Sequence, residues 1–193
     1  FDKLAAYGKV GANFRFSVDT DNDGVGDMFG NSATNPNGAP VSGNFNGFAG
    51  DGDEVGVWTG TQWFFDTNHN FIVGDPGNFV LTSALRGYGF TGDFDGDGFV
   101  DLATFKDDFF SFDLSSVGAT LNANLPGLNG VVDQSFRFGQ VGTRERPVAA
   151  DMNLDGFDDI GLYQPDRTGV APAEGSEWYW LVSGLGGSVL NRI

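Results

Sequence analysis

Gly92-Asp93-Phe94-Asp95-Gly96-Asp97-Gly98-Phe99-Val100-Asp101-Leu102-Ala103 joins an acidic, glycine-punctuated turn directly to a short apolar strand. The same pattern returns as Ala150-Asp151-Met152-Asn153-Leu154-Asp155-Gly156-Phe157-Asp158-Asp159-Ile160-Gly161. A third acidic turn holds Asp19, Asp21, Asp23, Gly24 and Asp27. The pattern is DxDxDGxxD, with Asn153 replacing one Asp. Carboxylates at positions 1, 3 and 5 of a tight turn converge on one point, Gly at 6 bends the chain, and the carbonyl at 7 adds an oxygen. The expected ligands are therefore Asp93, Asp95, Asp97, Phe99 and Asp101; Asp151, Asn153, Asp155, Phe157 and Asp159; and Asp19, Asp21, Asp23, Val25 and Asp27. Such an all-oxygen cage suits Ca²⁺ better than Mg²⁺, which keeps its waters. Position 12 of an EF-hand requires a bidentate Glu, but Gly30, Thr104 and Leu162 stand there and the flanks read as strands, so EF-hands are excluded.

Outward from these turns, four segments share an acidic residue followed by an apolar strand, anchored at Leu4, Val55, Leu102 and Ile160, which lie 51, 47 and 58 residues apart. That period is close to one four-stranded propeller blade of about 40–50 residues. Each anchor is followed by an aromatic strand: Asn13-Phe14-Arg15-Phe16, Gln62-Trp63-Phe64-Phe65, Phe109-Phe110-Ser111-Phe112 and Glu177-Trp178-Tyr179-Trp180. Three anchors are also preceded by a strand-like stretch, at Ala39–Gly43, Gly89–Gly92 and Arg146–Ala150. Short apolar runs broken by Gly, Asn and Asp, without helical spacing, predict an all-β chain. The expected architecture is a β-propeller-like array of about four four-stranded blades in one repeat domain, 1–193, with units at about 1–38, 39–86, 87–145 and 146–193. The first unit lacks its leading strand, which leaves about fifteen strands of sixteen. An edge left one strand short predicts either a longer polypeptide or head-to-tail self-assembly.

Composition bounds the function. With 10 Lys+Arg against 26 Asp+Glu the net charge is −16, which argues against nucleic acid or anionic lipid as a partner. No apolar run is long enough to span a membrane. There is no Cys, so neither disulfides nor thiolate metal sites are available. The three loops, counting Asp158, hold 12 of the 26 acids, and three Ca²⁺ would bring −16 to −10. Clusters of Asp, Asn and Gly also form ordinary turns, but three copies, two of them at the same phase of the repeat, favour metal cages. Two further loops are degenerate: Asn44 to Asp53, spread by an insertion, and Asp66, Asn68 and Asn70, which lack Gly at position 6. The single histidine, His69, lies in that last turn and has no catalytic partners in sequence, so no enzymatic activity is expected. Aromatics at one phase of each repeat read as core packing, with sugar stacking by Trp63 or Trp178-Tyr179-Trp180 as the alternative.

The acidic loops at 92–103 and 150–161 resemble the calcium loops of FG-GAP repeats, also called VCBS-like repeats. Phe29-Gly30 and Phe138-Gly139 resemble the Phe-Gly that names the family, and Pro40-Val41 and Pro147-Val148 follow them as in bacterial copies. The resemblance spans nearly the whole chain. It implies a calcium-stabilised propeller, an extracellular or cell-surface location, and a role in adhesion or ligand binding. Partners would be other copies or neighbouring repeats, with glycans or surface proteins as the alternative. Integrin-type propellers have seven blades against four anchors here, and the Asp19 loop lies where the family's usual loop is not found. Two functions are therefore expected: a metal-hardened surface or matrix building block that self-assembles into fibrils or sheets, or a lectin-like or adhesin-like module.

Overall fold

The computed structural model describes residues 3–48, 50, 52–117, 127–142, 144–165 and 176–182. Among them there are fourteen strands and no helix, hence none long and apolar enough to cross a membrane. The chain divides into two compact units, 1–83 and 84–193.

In the first unit, β1 (Leu4–Val10), β2 (Asn13–Asp19) and β3 (Met28–Asn31) form one antiparallel sheet in chain order. A second sheet holds β4 (Ala39–Gly43), β5 (Glu54–Trp58), β6 (Gln62–Phe65) and β7 (Phe79–Thr82). In the second unit, β8 (Tyr88–Gly92), β9 (Asp101–Lys106), β10 (Phe109–Asp113) and β11 (Gln134–Arg137) form a four-stranded sheet. The last comprises β12 (Arg146–Ala150), β13 (Asp159–Gln164) and β14 (Glu177–Leu181). Every sheet is an up-and-down meander, so the protein is all-β with four antiparallel sheets of three or four strands. Anchor stretches became β1, β5, β9 and β13, and aromatic stretches β2, β6, β10 and β14. A fourth strand after β14 would fall in 183–193, outside the described residues.

Period-two alternation explains the core. On β9 and β10, Phe110 pairs with Phe105 and Phe112 with Ala103, so these four side chains share one face with Phe136 of β11. They join Phe90, Phe94, Leu114, Ile160 and Leu162 in one buried cluster. The Phe110 ring lies 4.6 Å from Phe105 and stacks 5.5 Å from Phe136. In the first unit Phe16, Val55, Val57 and Val73 form a smaller cluster, and Trp58 stacks on Trp63 at 4.2 Å. Most of the aromatic strands are thus core, but β14 is the exception: Trp178 is 53% exposed.

In a meander, the first and third connections emerge at the same end of the sheet. This accounts for the Asp19 loop. It joins β2 to β3, the phase of a third connection, whereas the Asp93 and Asp151 loops are first connections, joining β8 to β9 and β12 to β13.

Candidate metal centres

The Asp93 loop is organised around its first carboxylate. The N–H groups of Gly96 and Asp97 donate to Asp93 Oδ1 at 2.7 and 3.2 Å, and that of Gly98 donates to Oδ2 at 2.9 Å. Asp97 N–H also reaches Asp95 Oδ1 at 3.3 Å, and Phe99 N–H reaches Asp97 Oδ1 at 2.8 Å. These bonds turn the chain so that one oxygen each of Asp93, Asp95 and Asp101 lies within 4.8 Å of the others, close enough for one cation. Asp97, whose charge is felt at both Asp93 and Asp101, accepts from the Ser115 hydroxyl at 3.0 Å.

Asp101 is the buried floor of the loop. Its Oδ2 accepts from Phe94 N–H at 2.8 Å and its Oδ1 from Ser115 N–H at 2.7 Å. Burial, with the carboxylates of Asp95 and Asp97 adding to it against those two N–H donors, pushes the Asp101 carboxyl up to about 8. The Asp93 carboxyl is raised too, by burial first and by Asp97 and Asp95 next, against donation from Gly98 and Gly96. A site that holds carboxylates above their ordinary range is one that a divalent cation would relieve.

The Asp19 loop repeats the scaffold. Asn22 and Asp23 N–H groups donate to Asp19 Oδ1 at 2.6 and 3.2 Å, and Gly24 N–H donates to Oδ2 at 2.7 Å. Val25 N–H closes on Asp23 Oδ1 at 2.7 Å. Oxygens of Asp19, Asp21 and Asp23 lie within 4.8 Å of one another. Burial pushes the Asp19 carboxyl up, but donation from Gly24, Asn22, Asp23 and Asp21 outweighs it and leaves the carboxyl below its ordinary value. Asp27 Oδ2 is held by the N–H and hydroxyl of Thr20, both at 2.8 Å.

In the Asp151 loop, Asp155 and Gly156 N–H groups donate to Asp151 at 3.1 and 2.9 Å, Phe157 N–H donates to Asp155 at 3.1 Å, and Met152 N–H donates to Asp159 at 2.9 Å. Asn153 Oδ1 accepts from Asp155 N–H at 3.2 Å, as Asp95 Oδ1 does from Asp97, and its amide nitrogen donates to Asp155 Oδ2 at 3.0 Å, so position 3 offers a neutral oxygen here. This loop is fastened to its neighbour by Asp158, whose N–H donates to the Asp93 carbonyl at 2.7 Å and whose Oδ2 accepts from Asp93 N–H at 2.9 Å.

The glycines at position 6, Gly24, Gly98 and Gly156, have φ of 89°, 86° and 89°, the left-handed bend the pattern requires. Position 4 is left-handed as well, at Asn22, Gly96 and Leu154 (φ 63°, 74° and 60°). No shared residue type announces this in the sequence.

The degenerate loops keep the scaffold and fill it with amides and an imidazole. Asp66 accepts from Asn70 and Phe71 N–H groups at 3.3 and 2.5 Å, and Phe71 takes φ 61° where glycine stands elsewhere. Asn70 Nδ2 donates to Asp75 Oδ2 at 2.9 Å, and Asn78 Nδ2 donates to the other Asp75 oxygen. In the Asn44 loop Gly47 N–H donates to Asn44 Oδ1 at 2.7 Å, and the ninth position is taken by Glu54. Glu54 Oε2 accepts from Phe45 N–H at 2.7 Å, as Asp101 accepts from Phe94, while His69 Nε2 stands 3.2 Å from Glu54 Oε1. His69 thus faces the buried carboxylate of a degenerate loop.

A sixth loop escaped the sequence reading. Asp113, at the end of β10, accepts from Gly130 and Asn129 N–H groups at 2.7 and 3.3 Å, and Val131 N–H donates to Asn129 Oδ1 at 2.9 Å. Asp133 N–H reaches the Phe112 carbonyl at 2.8 Å, and Asp133 Oδ2 accepts from Leu114 N–H at 2.9 Å. This is the Asp19 loop's bonding with extra residues inserted after position 1; counting back from Asn129, position 3 falls on Gly127, which has no side chain. Ser115 and Ser116, early in the same connection, bond to Asp97 and Asp95 of the Asp93 loop. They approach from a distant strand, so no local spacing reveals them.

Burial, reinforced by Asp133 and opposed by Gly130 and Asn129 N–H donation, raises the Asp113 carboxyl to about 7. A carboxyl whose folded value lies above its unfolded one contributes stability that is full below the unfolded value of about 4 and is lost as pH rises through about 7. In chelator, unfolding by denaturant at about pH 5 and pH 8 should therefore show the protein less stable at the higher pH, with Asp113 accounting for about 2–4 kcal/mol of the loss. Asp101, raised further still, adds to the same fall, so Asp113→Asn should make the dependence shallower without abolishing it, and an unchanged slope in the variant would remove Asp113 as a source.

No family model, curated protein or solved structure matches the chain.

Proposed function

We propose that the chain is a calcium-stabilised extracellular structural repeat protein of FG-GAP or VCBS-like type. Its four sheets act as blades of a propeller-like array, and it serves as a surface or matrix building block that self-associates or belongs to a longer polypeptide. One observation carries the reading: the same carboxylate-centred scaffold is built in loop after loop, and in two of them three aspartates converge within 4.8 Å. Oxygen-only donors and raised carboxyls at Asp93 and Asp101 favour a hard divalent cation over hydrogen bonding alone. The repeated loops give the protein rigidity rather than a reaction centre.

Calorimetric titration tests it. Calcium should saturate two to three sites per chain, and near pH 7 binding should release protons, because Asp101, held near 8, must ionise to ligate. Affinity should accordingly rise with pH through about 8. Absence of saturable binding, or binding without proton release, would sink the reading.

The lectin-like or adhesin-like reading has its own support on β14. Trp178 and Trp180 lie parallel at 6.2 Å with an interplanar angle of 7°, and Tyr163 lies 4.7 Å from Trp178. A row whose outermost ring, Trp178, is 53% exposed while Trp180 and Tyr163 are half-buried can stack on a sugar ring. Quenching of tryptophan fluorescence by soluble glycans, lost in Trp178→Ala, would favour this reading; no response to any glycan would favour the building block.

A further inference from the structure

Apart from the metal loops and the β14 rings, we infer that the end of the β8–β11 sheet away from its acidic loops is a binding site for a uronate-bearing polysaccharide. The cations set this end apart. Every Lys and Arg among the described residues of the second unit, namely Arg86, Lys106, Arg137, Arg144 and Arg146, lies there: before β8, at the close of β9 and β11, or at the opening of β12. The Asp93 and Asp151 loops lie at the other end of these strands, about 16 Å away along β9. Charges are screened over about 8 Å in physiological salt, so the net −16 of the chain does not cancel a local excess of positive charge at that distance from the loops.

Two clefts open side by side at this end and share Lys106 and Asp107. The first, of about 440 Å³, is lined by Arg86, Lys106 and Arg137 together with Asp107, Asp108 and Phe109. The second, of about 470 Å³, runs past Tyr88 to Glu145. Their walls are held in place. Gly87 presses so closely on the end of β9 that a Cβ there would stand 2.3 Å from the Phe105 carbonyl oxygen and 2.8 Å from Lys106 Cβ, and its φ of 119° favours glycine. Ala84 N–H donates to the Gly130 carbonyl at 2.6 Å. Arg137 Nη1 donates to both oxygens of Asp108 at 2.9 and 2.7 Å, and its guanidinium lies 5.4 Å over the Phe109 ring, while that of Arg146 lies 4.3 Å over Tyr88. Lys106 has no hydrogen bond or ion pair among the described residues, so its ammonium stands unmatched on the wall that the two clefts share.

The mixture of groups selects the ligand. The lining offers cations for a carboxylate, the Asp107 and Asp108 carboxylates as acceptors for hydroxyls, and the exposed Phe109 ring for an apolar C–H face. A sugar acid carries all three on one ring. A phosphate chain would be repelled by Asp107 and Asp108 and has no hydroxyls to give them, and a neutral sugar would leave Lys106 unmatched. Two clefts joined at one turn suit a chain of rings rather than a single one.

Trigalacturonate is the probe, with its methyl ester as the uncharged counterpart, both titrated calorimetrically into the protein in calcium. The acid should bind with a dissociation constant of about 0.1–1 mM and the ester at least about tenfold more weakly. Lys106→Gln should weaken the acid about tenfold and Phe109→Ala about threefold or more, each with a melting temperature within about 4 °C of the parent. Trp178→Ala should leave the affinity unchanged, which separates this site from β14. No binding up to about 10 mM, equal affinity for acid and ester, indifference to Lys106→Gln, or polyphosphate binding as tightly as the uronate would overturn the inference. So would binding that Asp93→Ala abolishes and Lys106→Gln does not, which would assign the uronate to a calcium held in the loops. The calcium dependence of melting in the same samples reports the cages alone, so this inference can fail while the calcium reading stands.

Discussion

Asp101→Ala is expected to destabilise the calcium-loaded protein by about 3–5 kcal/mol, and the chelated protein by about 1–3 kcal/mol. In both states the substitution leaves the buried N–H groups of Phe94 and Ser115 without their acceptor. In calcium it also removes the buried ligand of the cage. Without metal part of the loss is returned, because a carboxyl pushed up to about 8 by burial and by Asp95 and Asp97 is no longer kept there. Denaturant unfolding in the two conditions measures the difference. Equal losses would mean that Asp101 is a hydrogen-bond acceptor and not a ligand. Asp107→Ala, in the β9–β10 turn and outside every loop, should leave the calcium dependence unchanged.

Phe110→Ala should cost about 3–5 kcal/mol, because the ring is fully buried and the rings of Phe90, Phe105, Phe112 and Phe136 around it cannot collapse into the space. Its neighbour Phe109 points to the other face and is exposed, so Phe109→Ala should stay within about 1 kcal/mol. Loss of near-ultraviolet ellipticity in the first variant and its retention in the second would be the matching spectroscopic result. Comparable losses from both would contradict the β10 register.

The same alternation made the fold legible in the sequence. Phe110 and Phe112 flanking Ser111, and Trp63 and Phe65 flanking Phe64, mark half of each strand as core, and the repeat of anchor and aromatic stretch places the sheets. The acidic turns were legible for a related reason: Asp93, Asp95, Asp97 and Gly98 are local, so their spacing encodes the turn. What spacing cannot encode is contact across strands. Ser115 and Ser116 reach the Asp93 loop from the end of β10, and Asp158 fastens one loop to the next. The Asp113 loop was hidden because its first and fifth positions are separated by inserted residues while its bonding is preserved. Asn153 and Asn70 match the metal pattern by residue type, yet each spends its amide nitrogen on a carboxylate, Asp155 or Asp75. Their amide oxygens still accept the turn's N–H groups, Asn153 from Asp155 and Asn70 from Ile72, as the aspartates do in the Asp93 loop.

The central claim, that metal-filled loops hold the sheets, is tested most directly by melting the protein in millimolar calcium and in excess chelator. A cation bound only by the folded chain stabilises it by about 4 kcal/mol per site at a thousandfold excess over its dissociation constant, so calcium at two sites should raise the melting temperature by about 15–30 °C. Asp93→Ala with Asp19→Ala should abolish most of that increment. Melting temperatures in calcium and chelator that agree within about 2 °C would contradict the account.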